Sequence, residues 1–276
     1  MATRQTRRHT HPLTQVMSAD GTLIAFEQVG FGEPLIVVGG ATCDGARMRP
    51  TAEHLARDFA VINYDRRGRG DSTDTLPYAV ERELEDIAAL IARAGGRASV
   101  YGHSSGAALA LHAAAHGLSI DRLVLHEPPY SPDREEDIRG AREYGERLGT
   151  LLAEGRRGDA IELFFTVVGM PPEMVAEMRQ GPGWAPLEAL APTLAYDSEV
   201  MRDIATGGAV PIDLAAGVTV PTLVLVGGAS PDWMIDVCRE LAGAIPSGAH
   251  RVLEGQEHVV SPELLAPVVR EFLAGR

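Results

Sequence analysis

An α/β architecture, a mostly parallel sheet with helices on both faces, is what this 276-residue sequence predicts. Short β-branched runs alternate with longer stretches of helical periodicity. Several of those runs are apolar at every position, as strands buried on both faces are. The alternation breaks only once, between about Ser131 and Ala216, where the pattern is helical and punctuated by Pro171-Pro172, Pro182, Pro186 and Pro192.

Taken in order, Leu13 to Val16 and Thr22 to Val29 read as a strand pair joined through Asp20-Gly21, a dipeptide that favours a tight hairpin. Runs that are wholly or mostly apolar follow at Leu35 to Val38, Ala60 to Tyr64, Ala98 to Tyr101, Leu123 to His126, Thr222 to Val226 and Arg251 to Leu253. Helical periodicity covers Ala46 to Asp58, Tyr78 to Arg93, Ser105 to His116, Asp232 to Ala244 and Pro262 to Ala274. The third of these is rich in alanine, as a helix packed closely on a sheet should be.

Composition narrows the class of function. There are 25 basic against 38 acidic side chains, a formal net charge of -13, and no lysine among the basic ones. A duplex-binding protein needs a cationic face that neutralises phosphates, and none is concentrated here, so no nucleic-acid partner is expected. The one basic cluster, Arg4, Arg7 and Arg8, lies in residues 1–12, a segment that reads as a polar, solvated tail. Apolar residues at 45% supply material for a sizeable core. No apolar run approaches the roughly 18 residues of a membrane helix, so no membrane partner is expected. No apolar segment follows the leading arginines as it would in a secretory signal, and two cysteines cannot build a disulfide framework. A cytoplasmic setting is the expectation, and a homodimer is compatible with it.

The sharpest local signal is Gly102-His103-Ser104-Ser105-Gly106, a G-x-S-x-G set directly after a strand and directly before a helix. A nucleophile at such an elbow occupies a strained backbone conformation, so the residues two positions either side must be small. Only Ser104 fits that spacing. The helix that begins there aims its N-terminal amides at the site, where they favour negative charge developing on an acyl oxygen. A second segment, Tyr64-Asp65-Arg66-Arg67-Gly68-Arg69-Gly70-Asp71-Ser72, follows an early strand and fits D-x-R-G-x-G-x-S. Its Arg69-Gly70-Asp71 is a coincidental adhesion tripeptide, and Gly30-Phe31-Gly32 lacks the third glycine of a dinucleotide site.

These two segments make the chain resemble the α/β-hydrolase superfamily in its serine-dependent branch, from about Thr22 onward. The resemblance implies an eight-stranded sheet, with residues 13–130 and 217–276 as the core and 131–216 as an inserted helical cap. It also implies a base on the loop after the last strand, where His258 stands in Gly255-Gln256-Glu257-His258. The acid departs from the commonest arrangement. An aspartate usually follows the strand after the cap, but here Gly227-Gly228-Ala229-Ser230-Pro231 has serine at that place and Asp232 lies two residues on. The end of the strand before the cap offers Glu127 instead, a position resembling the acid of some haloalkane dehalogenases. Glu127 is preferred, with Asp232 as the alternative.

Oxyanion donors are expected at the N–H groups of Ser105 and Ala41, with Gly39-Gly40 replacing the family's frequent His-Gly. Gly40, Cys43, His103, Phe164, Phe165, Trp184 and Trp233 are candidate pocket residues, although aromatics at this helical spacing more often serve internal packing. No metal site is expected, since nothing resembles H-E-x-x-H or paired C-x-x-C ligands, and no cofactor is expected. The implied activity is hydrolysis of a small to medium hydrophobic ester, lactone or thioester through an acyl-enzyme. A cyclase or decarboxylase on the same fold, or a binding protein that has lost its catalytic power, are the alternatives. A serine at the elbow argues against the dehalogenase and epoxide hydrolase chemistries, which use aspartate there.

Overall fold

Residues 13–202 and 207–275 are described by the computed structural model of the chain. The expected polar tail, residues 1–12, lies outside the described residues, as do residues 203–206 of the expected cap.

One sheet of eight strands organises the molecule, in the order β1-β2-β4-β3-β5-β6-β7-β8. The strands are β1 (Leu13–Met17), β2 (Leu23–Val29), β3 (Pro34–Val38), β4 (Ala60–Tyr64), β5 (Ala98–His103), β6 (Ile120–His126), β7 (Thr222–Gly227) and β8 (Gly248–Leu253). β2 runs antiparallel to both neighbours, and every other pairing is parallel. The hairpin between β1 and β2 forms as the Asp20-Gly21 signal predicts, but over a longer turn. Gly21 adopts φ 86°, and Asp20 Oδ1 accepts the Thr22 N–H at 3.0 Å.

β3 shows why an unbroken apolar run makes a central strand. Its side chains alternate across the sheet, and both faces are covered. Leu35 and Val37 join a core with Met48, Ala52 and Leu55 of α1 (Gly45–Leu55) and Leu265 and Val269 near the C-terminus. Ile36 and Val38 join the opposite core with Ile87 and Leu90 of α2 (Val80–Arg93) and the alanines of α3 (Ser105–Ala115). Ala107, Ala108, Ala110 and Ala113 have no exposed surface, so the small side chains let α3 lie against the sheet.

Between β6 and β7 come α4 (Glu135–Ala153), α5 (Arg157–Val167), α6 (Pro172–Gln180), α7 (Trp184–Leu190), a short 3-10 turn at Ala191–Thr193, and α8 (Leu194–Met201). These helices share a core of their own, built on Leu148, Leu151, Ile161, Phe165, Trp184 and Leu194. α9 (Ile212–Ala216) turns back and packs on α3 and on α10 (Asp232–Ala244). α11 (Pro262–Leu273) closes the chain.

Two element ends differ from the sequence reading for identifiable reasons. β8 begins at Gly248 rather than Arg251, because a sheet-edge strand with exposed residues needs no apolar signature. α1 stops at Leu55 rather than Asp58, where the turn after β2 packs in. A Cβ on Gly30 would stand 2.2 Å from the Ala56 carbonyl oxygen and 2.4 Å from that of Phe59, so a glycine is what lets that turn pass so close to the end of α1.

Candidate active site

Two parallel strands bring the first components together. His103, the last residue of β5, is in register with His126, the last residue of β6. Ser104 and Glu127 are therefore each one step beyond the paired ends, side by side at the carboxyl edge of the sheet, the usual site position in open α/β sheets. Both leave the strand with positive φ, 57° at Ser104 and 46° at Glu127. Such a conformation costs a non-glycine residue roughly 1–3 kcal/mol and persists only where the surroundings enforce it. The Ser104 N–H donates to the His126 carbonyl at 2.9 Å and the Glu127 N–H to that of Leu225 at 2.9 Å, which supplies part of that enforcement.

The small neighbours of Ser104 are required by contact. A Cβ on Gly102 would lie 2.5 Å from the Gly106 carbonyl oxygen, and one on Gly106 would lie 2.4 Å from that of Val38. Gly40 is equally constrained, since its Cβ would stand 2.7 Å from Ser104 Cβ and 2.8 Å from the His103 carbonyl oxygen. That is the physical reason for a glycine in this loop, which touches the nucleophile candidate from the far side.

His258 arrives on the loop after β8, and Gly227 lets that loop pass. A side chain there would meet the Gln256 carbonyl oxygen at 2.3 Å. His103 Nε2 donates to the His258 carbonyl at 3.0 Å, and the two imidazoles lie 4.8 Å apart, centroid to centroid. The residue beside Ser104 is thus a clasp for the histidine loop. His126 adds a third ring, 4.9 Å from that of His103, and shares a 2.7 Å hydrogen bond with the Tyr101 hydroxyl.

His258 Nδ1 lies 2.5 Å from Glu127 Oε2. Glu127 is fully buried, and its other oxygen, Oε1, accepts the Gly227 N–H at 2.6 Å and the Ser230 hydroxyl at 2.7 Å. Burial by itself raises a carboxyl pKa. Here the hydrogen bonds from His258, Ser230 and Gly227 outweigh it and hold Glu127 below its ordinary value. An ionised carboxylate can only accept, so Nδ1 of His258 carries a proton, and in the neutral imidazole this tautomer places the lone pair on Nε2. His103 is pushed down to about 4 by burial and then by the neighbouring His258, and burial also holds His126 well below the ordinary imidazole range.

Asp232 is the first residue of α10, exposed, with Pro231 in the capping position. Ser230 is what reaches the Glu127–His258 pair from this loop. The sequence reading passed over that hydroxyl, although its placement where an aspartate usually stands was a usable signal.

Ser105, the first residue of α3, has an N–H in the turn that a helix leaves without an internal acceptor. Ala41 packs against the core of the helical segment. Cys43 is half-buried, and burial pushes its thiol pKa up, which suits a wall residue and not a thiolate. Phe165 and Trp184 lie inside the core of the helical segment, with their rings 6.4 Å apart, and Phe164 packs beside them. These rings pack on one another within that segment. Trp233 is exposed at the start of α10. In the D-x-R-G-x-G-x-S segment, Asp65 accepts N–H groups from Gly45 at 2.7 Å and Asp71 at 2.8 Å, and Arg67 pairs with Asp86 and Asp20.

The model of the alpha/beta hydrolase family matches residues 35–269, and the chain belongs to that family. Over 117 residues it is 31% identical to the uncharacterized hydrolase YraK of Bacillus subtilis, a match that covers 41% of this chain and 43% of that protein. An alpha/beta hydrolase from Sphaerobacter thermophilus superposes with a TM-score of 0.84 at 50% identity, covering 94% of this chain and 100% of that one. A thermophilic esterase from Thermogutta terrifontis, solved with malate bound, gives 0.73 at 26% identity, covering 96% and 98%. Among the described residues no helix is long and apolar enough to cross a membrane.

Proposed function

We propose that the protein is a serine hydrolase of small to medium hydrophobic esters, lactones or thioesters, acting through an acyl-enzyme. The observation that carries this reading is the 2.5 Å contact of His258 Nδ1 with the buried, three-fold hydrogen-bonded Glu127 carboxylate. It leaves His258 Nε2 in the form that accepts a proton, on a loop clasped to the residue beside Ser104.

In the proposed cycle, Ser104 Oγ attacks the acyl carbon and its proton passes to His258 Nε2. The carbonyl electron pair moves onto oxygen and is met by the N–H groups of Ser105 and Ala41. Collapse expels the alcohol or thiol, which takes the proton from His258. Water, deprotonated by the same imidazole, then releases the acid. Glu127 fixes the tautomer and stabilises the imidazolium throughout.

The contact of Ala41 with the apolar core of the helical segment supports reading that segment as a cap and the substrate path as apolar. The likeness to an esterase supports ester chemistry. Hydrolysis of p-nitrophenyl esters of increasing acyl length, and of simple lactones, tests the reading. Turnover lost in Ser104→Ala is the expected result. No turnover of any by the wild type would reject the reading.

A further inference from the structure

Asp197, on α8 of the inserted segment, is a buried carboxylate with three donors from the core. Arg66 Nη1 reaches Oδ1 at 2.7 Å, Arg69 Nη2 reaches both oxygens at 2.9 Å, and the Ser105 hydroxyl reaches Oδ1 at 2.8 Å. The same two guanidinium groups also hold the loop after β3. Arg69 Nη1 donates to the Gly40 carbonyl at 2.6 Å and to that of Cys43 at 3.1 Å, and Arg66 Nη1 reaches the Gly39 carbonyl at 3.4 Å. Glu83 completes the charge balance by accepting from Arg66 Nε at 2.7 Å and Nη2 at 2.6 Å. Two cations and two anions are thus sealed together, so no charge is left unpaired.

The peptide group explains what this cluster does. The Gly40 carbonyl and the Ala41 N–H belong to one planar trans unit, so fixing the oxygen fixes the direction of the N–H. A guanidinium on that oxygen also polarises the unit and strengthens its N–H as a donor. Ser105, whose side chain is tied to the same carboxylate, carries the second N–H. The D-x-R-G-x-G-x-S pattern does not demand this arrangement, since Arg66 and Arg69 occupy two of its unspecified positions and Asp197 lies outside it.

We infer that Asp197, acting through Arg69 and the Ser105 hydroxyl, is a positioning residue that aims both N–H donors of the oxyanion hole, an inference resting on the serine hydrolase reading. Because Asp197 sits on the inserted segment, seating that segment on the core and assembling the oxyanion hole are one event.

The test compares a ligand that develops an oxyanion with one that does not. An alkyl trifluoromethyl ketone adds Ser104 Oγ to its carbonyl carbon. The C=O pair moves onto oxygen and the serine proton passes to His258. The matching p-nitrophenyl alkyl ether binds without reacting. For Asp197→Asn and Arg69→Lys, kcat on p-nitrophenyl butyrate should fall about 10- to 100-fold with KM within about twofold, less than the loss of a donor outright. The ketone Ki should rise by a similar factor, while the ether Ki moves by less than about twofold. Ser105→Ala, which leaves both arginines paired, should show the same split at about fivefold or more and serves if the charge variants do not fold. Equal change in both Ki values, or no change in folded variants, would overturn the inference. A wild type that neither hydrolyses the ester nor reacts with a fluorophosphonate would instead reject the serine hydrolase reading, and this inference with it.

Discussion

Ser230 donates its hydroxyl to Glu127 Oε1 at 2.7 Å, from the place where an aspartate usually stands in this family. The Ser230 hydroxyl thus supports the carboxylate that meets His258. A serine there removes the like charge that a second buried carboxylate would bring, and its hydrogen bond favours the ionised form of Glu127.

Replacing Glu127 by Gln keeps the shape but makes the side-chain nitrogen a donor facing His258 Nδ1, which selects the wrong tautomer. The rate constant for ester turnover should fall by about 10³- to 10⁴-fold, whereas Asp232→Asn should stay within about twofold of wild type. The reverse ranking in steady-state kinetics would move the acid to Asp232.

Ser230→Ala removes one charge-assisted hydrogen bond from a fully buried carboxylate. Urea unfolding near neutral pH should show a loss of about 1.5–3 kcal/mol, and turnover should drop as Glu127 becomes less firmly held. An unchanged urea midpoint would show that the Gly227 N–H alone suffices.

Gly40→Ala places a Cβ 2.7 Å from that of Ser104. One of the two backbones must move, and a shift of about 1 Å at a reacting group can cost about 10²-fold in rate. Circular dichroism should report a retained fold with turnover reduced by about that factor. Full activity would mean that the loop after β3 does not set the geometry of Ser104.

Acid stability follows from the histidine stack. His103 is pushed down to about 4, so in the folded protein it stays neutral while the unfolded chain takes up a proton near the ordinary histidine value of 6.5. Lowered folded-state values favour the unfolded state as pH falls, so stability should decline from 6.5 toward about 4 and level off for this group below that. His126 acts in the same direction, and Glu127 adds its own loss as pH falls below the ordinary glutamate value of 4.5 toward its lowered folded one. The urea midpoint should fall between about pH 7 and pH 5, and fall less steeply in His103→Gln, whose amide can still donate to the His258 carbonyl. Parallel slopes in the two proteins would contradict this assignment.

Much of this arrangement was legible because it is local. The strand-elbow-helix around Ser104, the apolar runs of β3 to β7 and the offer of Glu127 at a strand end all depend on residues close in sequence. What was not legible depends on long-range pairing. Asp197 is one acidic residue among many in the helical segment, and its partners Arg66, Arg69 and Ser105 are 131, 128 and 92 positions away. The clasp of His103 on His258 spans 155 positions. Phe165 and Trp184 read more readily as packing than as a pocket, but periodicity alone could not separate the two, because an apolar helical face has the same period whichever it covers.

The most direct test of the central claim is covalent labelling of the protein by a fluorophosphonate, followed by intact mass and peptide mapping. A single adduct on Ser104 is expected, absent in Ser104→Ala and formed about 10³-fold or more slowly in His258→Ala and Glu127→Gln. Labelling that maps to another residue, or proceeds at the wild-type rate without the His258 imidazole, would contradict it.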